Sequence, residues 1–109
     1  MEADTVEQIH SRTIELLKEI FARNDVEHDS LISILFTVTD DLTSAFPATG
    51  ARSIGLGDVP LMCAREIPVP GSMNRCIRVM IHLHTTHSRD DLRHVYLHRA
   101  VTLRDDLPA

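Results

Sequence analysis

The sequence predicts an α+β fold in which a mixed β-sheet packs against one long helix. Apolar residues recur every three or four positions from Thr5 to about Arg23, which is typical of an amphipathic helix. Residues 30–39 and 76–84 instead alternate between apolar and polar side chains, as half-buried strands do. One long helix combined with several short strands predicts a sheet covered by that helix on one face.

The amino-terminal helix has signals at both of its ends. Thr5 followed by Gln8 matches the capping pattern in which a threonine side chain accepts a hydrogen bond from the backbone N–H three residues later. Residues 23–25, Arg-Asn-Asp, place a basic side chain and two poor helix formers together, which favours a helix end. The sequence therefore predicts a helix from Thr5 to about Arg23.

A short helix and several strands are predicted after the long helix. Residues 46–55 suit a short helix because Pro47 falls in its first turn and Gly55 follows its end. Two prolines and a glycine make residues 67–74 a loop, since proline cannot donate to a strand ladder. The strands are predicted at residues 30–39, 59–63, 76–84 and 93–101.

The predicted strand at residues 76–84 has one face that a single helix would leave uncovered. Its odd positions are hydrocarbon, and its even positions carry Cys76, Arg78, Met80, His82 and His84. A half-apolar face of this kind is commonly buried against another subunit. The pattern therefore predicts an oligomer, and it raises the question of what an arginine does on that face.

Composition excludes several classes of function. The net charge of −5 and the few aromatic residues, three phenylalanines and one tyrosine, argue against binding to nucleic acid or to a membrane surface. No apolar stretch approaches the roughly 18 residues of a membrane span. Cys63 and Cys76 lack the spacing of a redox or metal motif, which is typical of a reducing compartment. We therefore expect a single soluble domain over residues 1–109 in the cytoplasm.

Histidine and cysteine side chains suggest two kinds of chemistry that the sequence leaves open. His82, His84 and His87 are close enough along the chain to hold a metal ion, although exposed strand histidines explain the pattern more simply. Cys63 is a candidate nucleophile, but no side chain is singled out as its base.

Arginines from three predicted elements suggest a third kind of site. Arg52, Arg78 and Arg104, together with Glu66 and Tyr96, are candidates to converge on a small polyanion. Arginine suits this role because its planar guanidinium pairs with carboxylates and stays charged when desolvated. Taken singly, each of these side chains is better explained as a solvated or ion-paired surface group.

The chain resembles the AroH-type chorismate mutases, a small trimeric class, in the stretches TVTDDLTSAFPATGARSIG, DVPLMCAREIPVPG, CIRVMIHLHT and RHVYLHRAVTLRDDL. The helix DTVEQIHSRTIELLKEI also fits in place, so the resemblance covers essentially the whole chain. It implies a homotrimer that forms a pseudo-α/β barrel with a site in each subunit cleft. It also implies the [3,3] rearrangement of chorismate to prephenate, in the shikimate branch toward aromatic amino acids, without cofactor or metal.

The resemblance further implies roles for individual residues. Arg78 matches the arginine that contacts the breaking ether oxygen. Glu66 and Cys63 match the pair that holds the ring hydroxyl end and faces the positive charge developing on the ring. The groups that bind the substrate carboxylates are matched by Arg52 and Tyr96, the pocket wall by Phe46, Ala48, Leu61 and Met62, and the mobile carboxyl-terminal cap by Leu103 and Arg104.

Two departures from the family pattern bear on activity. Family members begin with an edge strand that carries another active-site arginine, and Met1 of this sequence follows the place of that segment. Thr49 stands where some members have a lysine near a substrate carboxylate. Losing one charge-assisted contact costs about 1.5–3 kcal/mol. The alternatives are therefore a chorismate mutase, or a poorly active or non-catalytic trimeric homologue that binds a chorismate-like dicarboxylate.

Overall fold

Two helices and a three-stranded sheet form the fold in the computed structural model, which describes residues 1–102. The elements are α1 (Val6–Asn24), β1 (Leu31–Val38), α2 (Pro47–Ser53), β2 (Leu61–Arg65) and β3 (Ile77–Leu83). The strand order is β2-β1-β3, with β1 parallel to β2 and antiparallel to β3. The predicted α+β class with a mixed sheet is therefore confirmed. Residues 103–109, which include the predicted site residues Leu103 and Arg104, lie outside the described range.

Local side chains set the bounds of α1 close to those predicted. The Thr5 hydroxyl accepts a hydrogen bond from the Gln8 N–H at 3.1 Å, while the Gln8 side chain accepts from the Ala3 N–H instead of closing back on Thr5. Asp25 ends the helix in the left-handed conformation, with φ of 50°, and its N–H bonds to Phe21. Neither described helix has the length and hydropathy to cross a membrane.

The face of the sheet that α1 and α2 cover holds the hydrophobic core. Ile34 and Phe36 of β1 are buried there against Leu17 of α1. Val79 and Ile81, two odd-numbered residues of β3, pack against the same cluster. This confirms the predicted alternation, in which the hydrocarbon positions of β1 and β3 share one face.

The other face, which we call the open face, carries Ser33, Leu35, Thr37, Met62, Ala64, Arg78, Met80 and His82. Leu35 pairs in register with both Met62 and Met80, so an apolar row crosses all three strands. The two methionines are 66% and 58% exposed in the single chain. Helices therefore cover one face only, as the pattern of the strand at residues 76–84 predicts.

The predicted strand at residues 93–101 is wrong, because this stretch does not join the sheet. Its backbone runs along α1, where the Asn24 side chain accepts from the Arg93 N–H at 2.6 Å and donates to the Arg93 carbonyl at 2.9 Å. His98 then adopts a φ of 55° and begins the 3-10 helix His98–Thr102, which interrupts any extended strand. A side-chain amide thus supplies hydrogen bonds that a strand ladder would otherwise supply.

The strand predicted at residues 59–63 begins two residues later than expected. Val59 is buried in the turn before the strand, and Pro60 offers only its carbonyl, which accepts from the Ile34 N–H at 3.0 Å. The parallel ladder therefore starts with Leu61 opposite Ile34 and extends to Arg65.

Candidate active site

A cavity of about 300 Å³ opens where β1 and β2 end and β3 begins. Glu66 and Arg78, two residues predicted to be catalytic, both line it. The volume is at the lower end of the range found for small-molecule sites. The other lining residues follow β1, form the loop after β2 or precede β3: Thr39, Asp40, Ile67, Pro68, Val69, Ser72, Met73, Asn74 and Cys76.

Glu66 and Arg78, which both line this cavity, form a loose ion pair. Arg78 Nη1 lies 3.6 Å from Glu66 Oε2, which is within reach of charge attraction and beyond the range of a hydrogen bond. The same carboxylate oxygen accepts a hydrogen bond from the hydroxyl of Thr37. The side chains of Arg78 and Glu66 are 58% and 27% exposed, so both remain accessible.

Backbone pairing explains why these two charges face the same side. The Glu66 N–H donates to the Val38 carbonyl at 2.8 Å, which continues the β1–β2 pairing one residue past β2. Because side chains alternate along a strand, Glu66 points to the same side as Ala64, onto the open face. Arg78 reaches that face from β3, where it pairs in register with Thr37.

Side chains after β1 hold the start of β3 in place. The Thr39 hydroxyl accepts from the Cys76 N–H at 3.0 Å and donates to Asp41 at 2.6 Å. Asp41 in turn accepts from the Arg75 N–H at 3.0 Å. Partial burial acts to raise the pKa of Asp41, but these hydrogen bonds outweigh it and hold the pKa below its usual value. The carboxylate is therefore charged at neutral pH, and it holds the backbone three residues before Arg78.

The two cysteines have packing roles in this chain. Burial raises the pKa of the Cys76 thiol, so this thiol is protonated at neutral pH. Cys63 pairs in register with Phe36, so its side chain points to the covered face and packs against the core cluster. The chain therefore does not bring Cys63 to the same side of the sheet as Arg78 and Glu66.

The other predicted residues within positions 1–102 lie outside the cavity. Phe46 precedes α2 and is 67% exposed, while Thr49 and Arg52 are exposed on α2 itself. Tyr96 is half-buried in the extended segment along α1. Six of the predicted residues lie before or on α2 or on the covered face of β2, and we call them the α2–β2 group: Phe46, Ala48, Thr49, Arg52, Leu61 and Cys63. Ala48 belongs to the core cluster and Leu61 packs against it, whereas Met62 lies on the open face.

Sequence reasoning missed Thr37 and the loop that forms one wall of the cavity. Period-two alternation places Thr37 on the open face, but only the register between β1 and β3 shows that it lies opposite Arg78. The loop residues Ile67 and Val69 are strongly exposed apolar side chains in a stretch that reads only as proline-rich. In the structure, these exposed hydrophobic side chains lie beside two charges, and this arrangement indicates that the loop belongs to a site.

The histidines do not form a cluster in the described part of the chain. His82 Nδ1 lies 3.2 Å from the Ser33 hydroxyl across β1 and β3. Within residues 1–102, no three histidine, cysteine, aspartate or glutamate side chains are arranged to hold a metal ion. The hypothesis of a site at His82, His84 and His87 therefore lacks a ligand set there.

Comparisons with known proteins agree with the resemblance seen in the sequence. The family model for chorismate mutase type I matches residues 1–107. Chorismate mutase AroH of Thermus thermophilus is 52% identical over 98% of this chain and 88% of that protein, and AroH of Bacillus subtilis is 39% identical over 98% and 85%. A chorismate mutase structure from Clostridium thermocellum superposes with a TM-score of 0.89 at 48% identity, covering 91% of this chain and 88% of that one. The chain belongs to the type I chorismate mutase family.

Proposed function

We propose that this protein converts chorismate to prephenate with the Arg78–Glu66 pair at its reacting centre. One observation carries the proposal: a cation and an anion lie side by side in a cavity, and within residues 1–102 neither forms a hydrogen-bonded salt bridge. In the [3,3] rearrangement, negative charge grows on the breaking ether oxygen while positive charge grows on the ring. A fixed charge pair of matching polarity stabilises that transition state more than the ground state.

Each member of the pair has a distinct task in this mechanism. The N–H groups of Arg78 donate to the ether oxygen as its bond to carbon breaks. Glu66 lies beside Arg78 and faces the ring, where its charge offsets the developing positive charge. No proton is transferred, so neither side chain has to act as an acid or a base.

The rest of the protein binds the substrate in a compact, diaxial conformer, in which the two carbons that form the new bond lie close together. Holding reacting atoms in this geometry removes much of the entropic barrier to reaction. Arg52, Tyr96 and Arg104 are the proposed partners of the two substrate carboxylates, and Phe46, Met62 and Thr49 belong to the surface around them. Arginine suits this task because its guanidinium pairs with a carboxylate through two parallel hydrogen bonds.

The proposed active unit is a homotrimer, and each site combines two subunits. The α2–β2 group and the Arg78–Glu66 cavity occupy different parts of one chain, and Cys63 points away from Glu66 across the sheet. Both sets can contact one substrate if the α2–β2 group of one subunit faces the cavity of its neighbour. The exposed apolar row of Met62, Leu35 and Met80 supports an assembly that covers the open face. Unpaired Cys63 and Cys76 support a cytoplasmic location.

Turnover of chorismate by the purified full chain tests this function. Loss of chorismate absorbance should be accompanied by prephenate, identified by proton NMR, with no added metal or cofactor. Binding of chorismate without formation of prephenate would instead support the non-catalytic homologue, and absence of both would contradict the proposal.

A further inference from the structure

We propose that Thr37 is a positioning residue that keeps Glu66 from closing on Arg78, so that the arginine stays available to substrate. This inference rests on the proposed function and adds a residue that neither the sequence patterns nor the resemblance singled out. Thr37 lies on the central strand, where it pairs in register with Ala64 on one side and with Arg78 on the other.

The geometry places the Thr37 hydroxyl in competition with the guanidinium. Both groups approach the same atom, Glu66 Oε2: the hydroxyl as a hydrogen-bond donor and Arg78 Nη1 at 3.6 Å. Within residues 1–102, the guanidinium of Arg78 donates no hydrogen bond to the protein, and its only ion pair is this loose one.

An arginine and a glutamate at this separation would ordinarily close further. Paired guanidinium and carboxylate groups favour two parallel hydrogen bonds of about 2.7–2.9 Å. Such a closed pair would occupy the donors that the breaking ether oxygen needs, and substrate would have to break it before reacting. By holding Oε2 from the side of β1, Thr37 leaves the negative charge near Arg78 and leaves the N–H groups of Arg78 free.

Thr37→Val tests this role because valine keeps the β-branched shape suited to a strand and removes only the hydroxyl. We expect kcat/KM to fall about three- to tenfold, because substrate would first have to break a closed, half-exposed ion pair between Arg78 and Glu66. The loss should appear in kcat with little change in KM, because the Arg78 contact strengthens in the transition state. Thr37→Ser, which keeps a hydroxyl, should recover most of the activity.

A double-mutant cycle separates positioning from general structural damage. In a Glu66→Gln background there is no charged carboxylate to close on Arg78, so adding Thr37→Val should cause less than about a twofold further loss. Ser33→Ala is the matched control, since Ser33 lies on the same strand and face and its hydroxyl also meets a β3 side chain, His82. It should leave kcat/KM near the wild-type value.

The crystal structure of unliganded Thr37→Val provides a readout that does not depend on turnover. We expect the Arg78–Glu66 contact to shorten to about 2.9 Å. If the wild-type chain does not turn over chorismate while this contact closes, the proposed function fails and the positioning role stands. The positioning role is wrong if the contact stays open in the valine variant, or if the loss of activity is equally large in the Glu66→Gln background.

Discussion

The two faces of one three-stranded sheet have opposite physical character. The covered face consists of hydrocarbon side chains such as Ile34 and Phe36, which are fully buried under the helices. Along each strand, side chains of the open face alternate with those of the covered face. The open face carries an exposed cation, a carboxylate and exposed methionines. A single residue step along β1, from Phe36 to Thr37, therefore passes from the core to the candidate site.

In this small domain, the side chains that stabilise the fold and those proposed to react lie on opposite faces of one sheet. Close packing on one face fixes the strands and their register, and that register places Thr37, Glu66 and Arg78 together on the other face. Side chains of the open face do not have to pack against the helices of their own chain. Substitutions in the core of the covered face should reduce stability, whereas those in the Arg78–Glu66 pair or in the apolar row of the open face should reduce activity or assembly.

Removing a core side chain should have the largest effect. Phe36→Ala creates a cavity beneath both helices and should lower the free energy of unfolding by about 3–5 kcal/mol. Urea unfolding followed by circular dichroism measures this loss. Ile32→Ala is the control, because Ile32 belongs to the same strand but is half-exposed, and it should cost far less. Equal losses for the two variants would contradict the assignment of the core.

Removing Arg78, the exposed cation of the open face, should have the next largest effect, and it should leave stability unchanged. Arg78→Ala should lower kcat about 10²- to 10³-fold, the range for losing a preorganised charge at a reacting oxygen. Its unfolding midpoint should stay near that of the wild type. Arg65→Ala is the matched control, since Arg65 is also an exposed strand arginine but points to the other face. A wild-type rate for Arg78→Ala would show that the role given to Arg78 is wrong.

Changing the apolar row should weaken assembly more than folding. Met80→Gln replaces a methionine by a polar side chain of similar size, and burying that amide should cost about 1–3 kcal/mol per subunit interface. Sedimentation over a range of concentrations should show that the proposed trimer of this variant dissociates at a higher protein concentration than that of the wild type. Val6→Gln, a similarly exposed apolar position on α1, should leave the association unchanged. An unaltered trimer for Met80→Gln would place the interface elsewhere.

The smallest effect concerns the segment docked along α1. His98 Nε2 lies 2.9 Å from Glu15 Oε1, and this hydrogen bond lowers the pKa of Glu15. A carboxyl with a lowered pKa in the folded state stabilises the fold above its unfolded pKa, and it loses that contribution as pH falls through the folded pKa.

Urea unfolding from pH 6 down to pH 3 measures this small contribution. From pH 6 to pH 3, the free energy of unfolding of the wild type should fall by a few tenths of a kcal/mol more than that of Glu15→Gln. Glu27→Gln is the control and should behave as the wild type does, because the Glu27 side chain is exposed and caps no described helix. Identical pH dependence for the wild type and Glu15→Gln would remove His98 as a stabilising partner.

Periodicity predicted most of the fold and placed Arg78 on the uncovered face, whereas the catalytic roles proposed for Arg78 and Glu66 rest on the family resemblance. The helix at Thr5, the alternating strands and the uncovered face follow from spacing alone, because local propensity and burial agree there. The strand at residues 93–101 failed because the Asn24 side chain, which is distant in sequence, satisfies its backbone. Thr37 was missed because strand register depends on long-range pairing, which alternation does not specify.

In the proposed trimer, each site joins the open face of one subunit to the α2–β2 group of another. Co-expression of Arg78→Ala with Arg52→Ala tests this arrangement directly, with two affinity tags to isolate mixed trimers. Each variant alone should be nearly inactive. In either kind of mixed trimer, one of the three sites would combine an intact Arg78 with an intact Arg52 from the neighbour, so activity should rise toward about a third of the wild-type rate. Activity no higher than the average of the two parent variants would show that each chain builds its site alone.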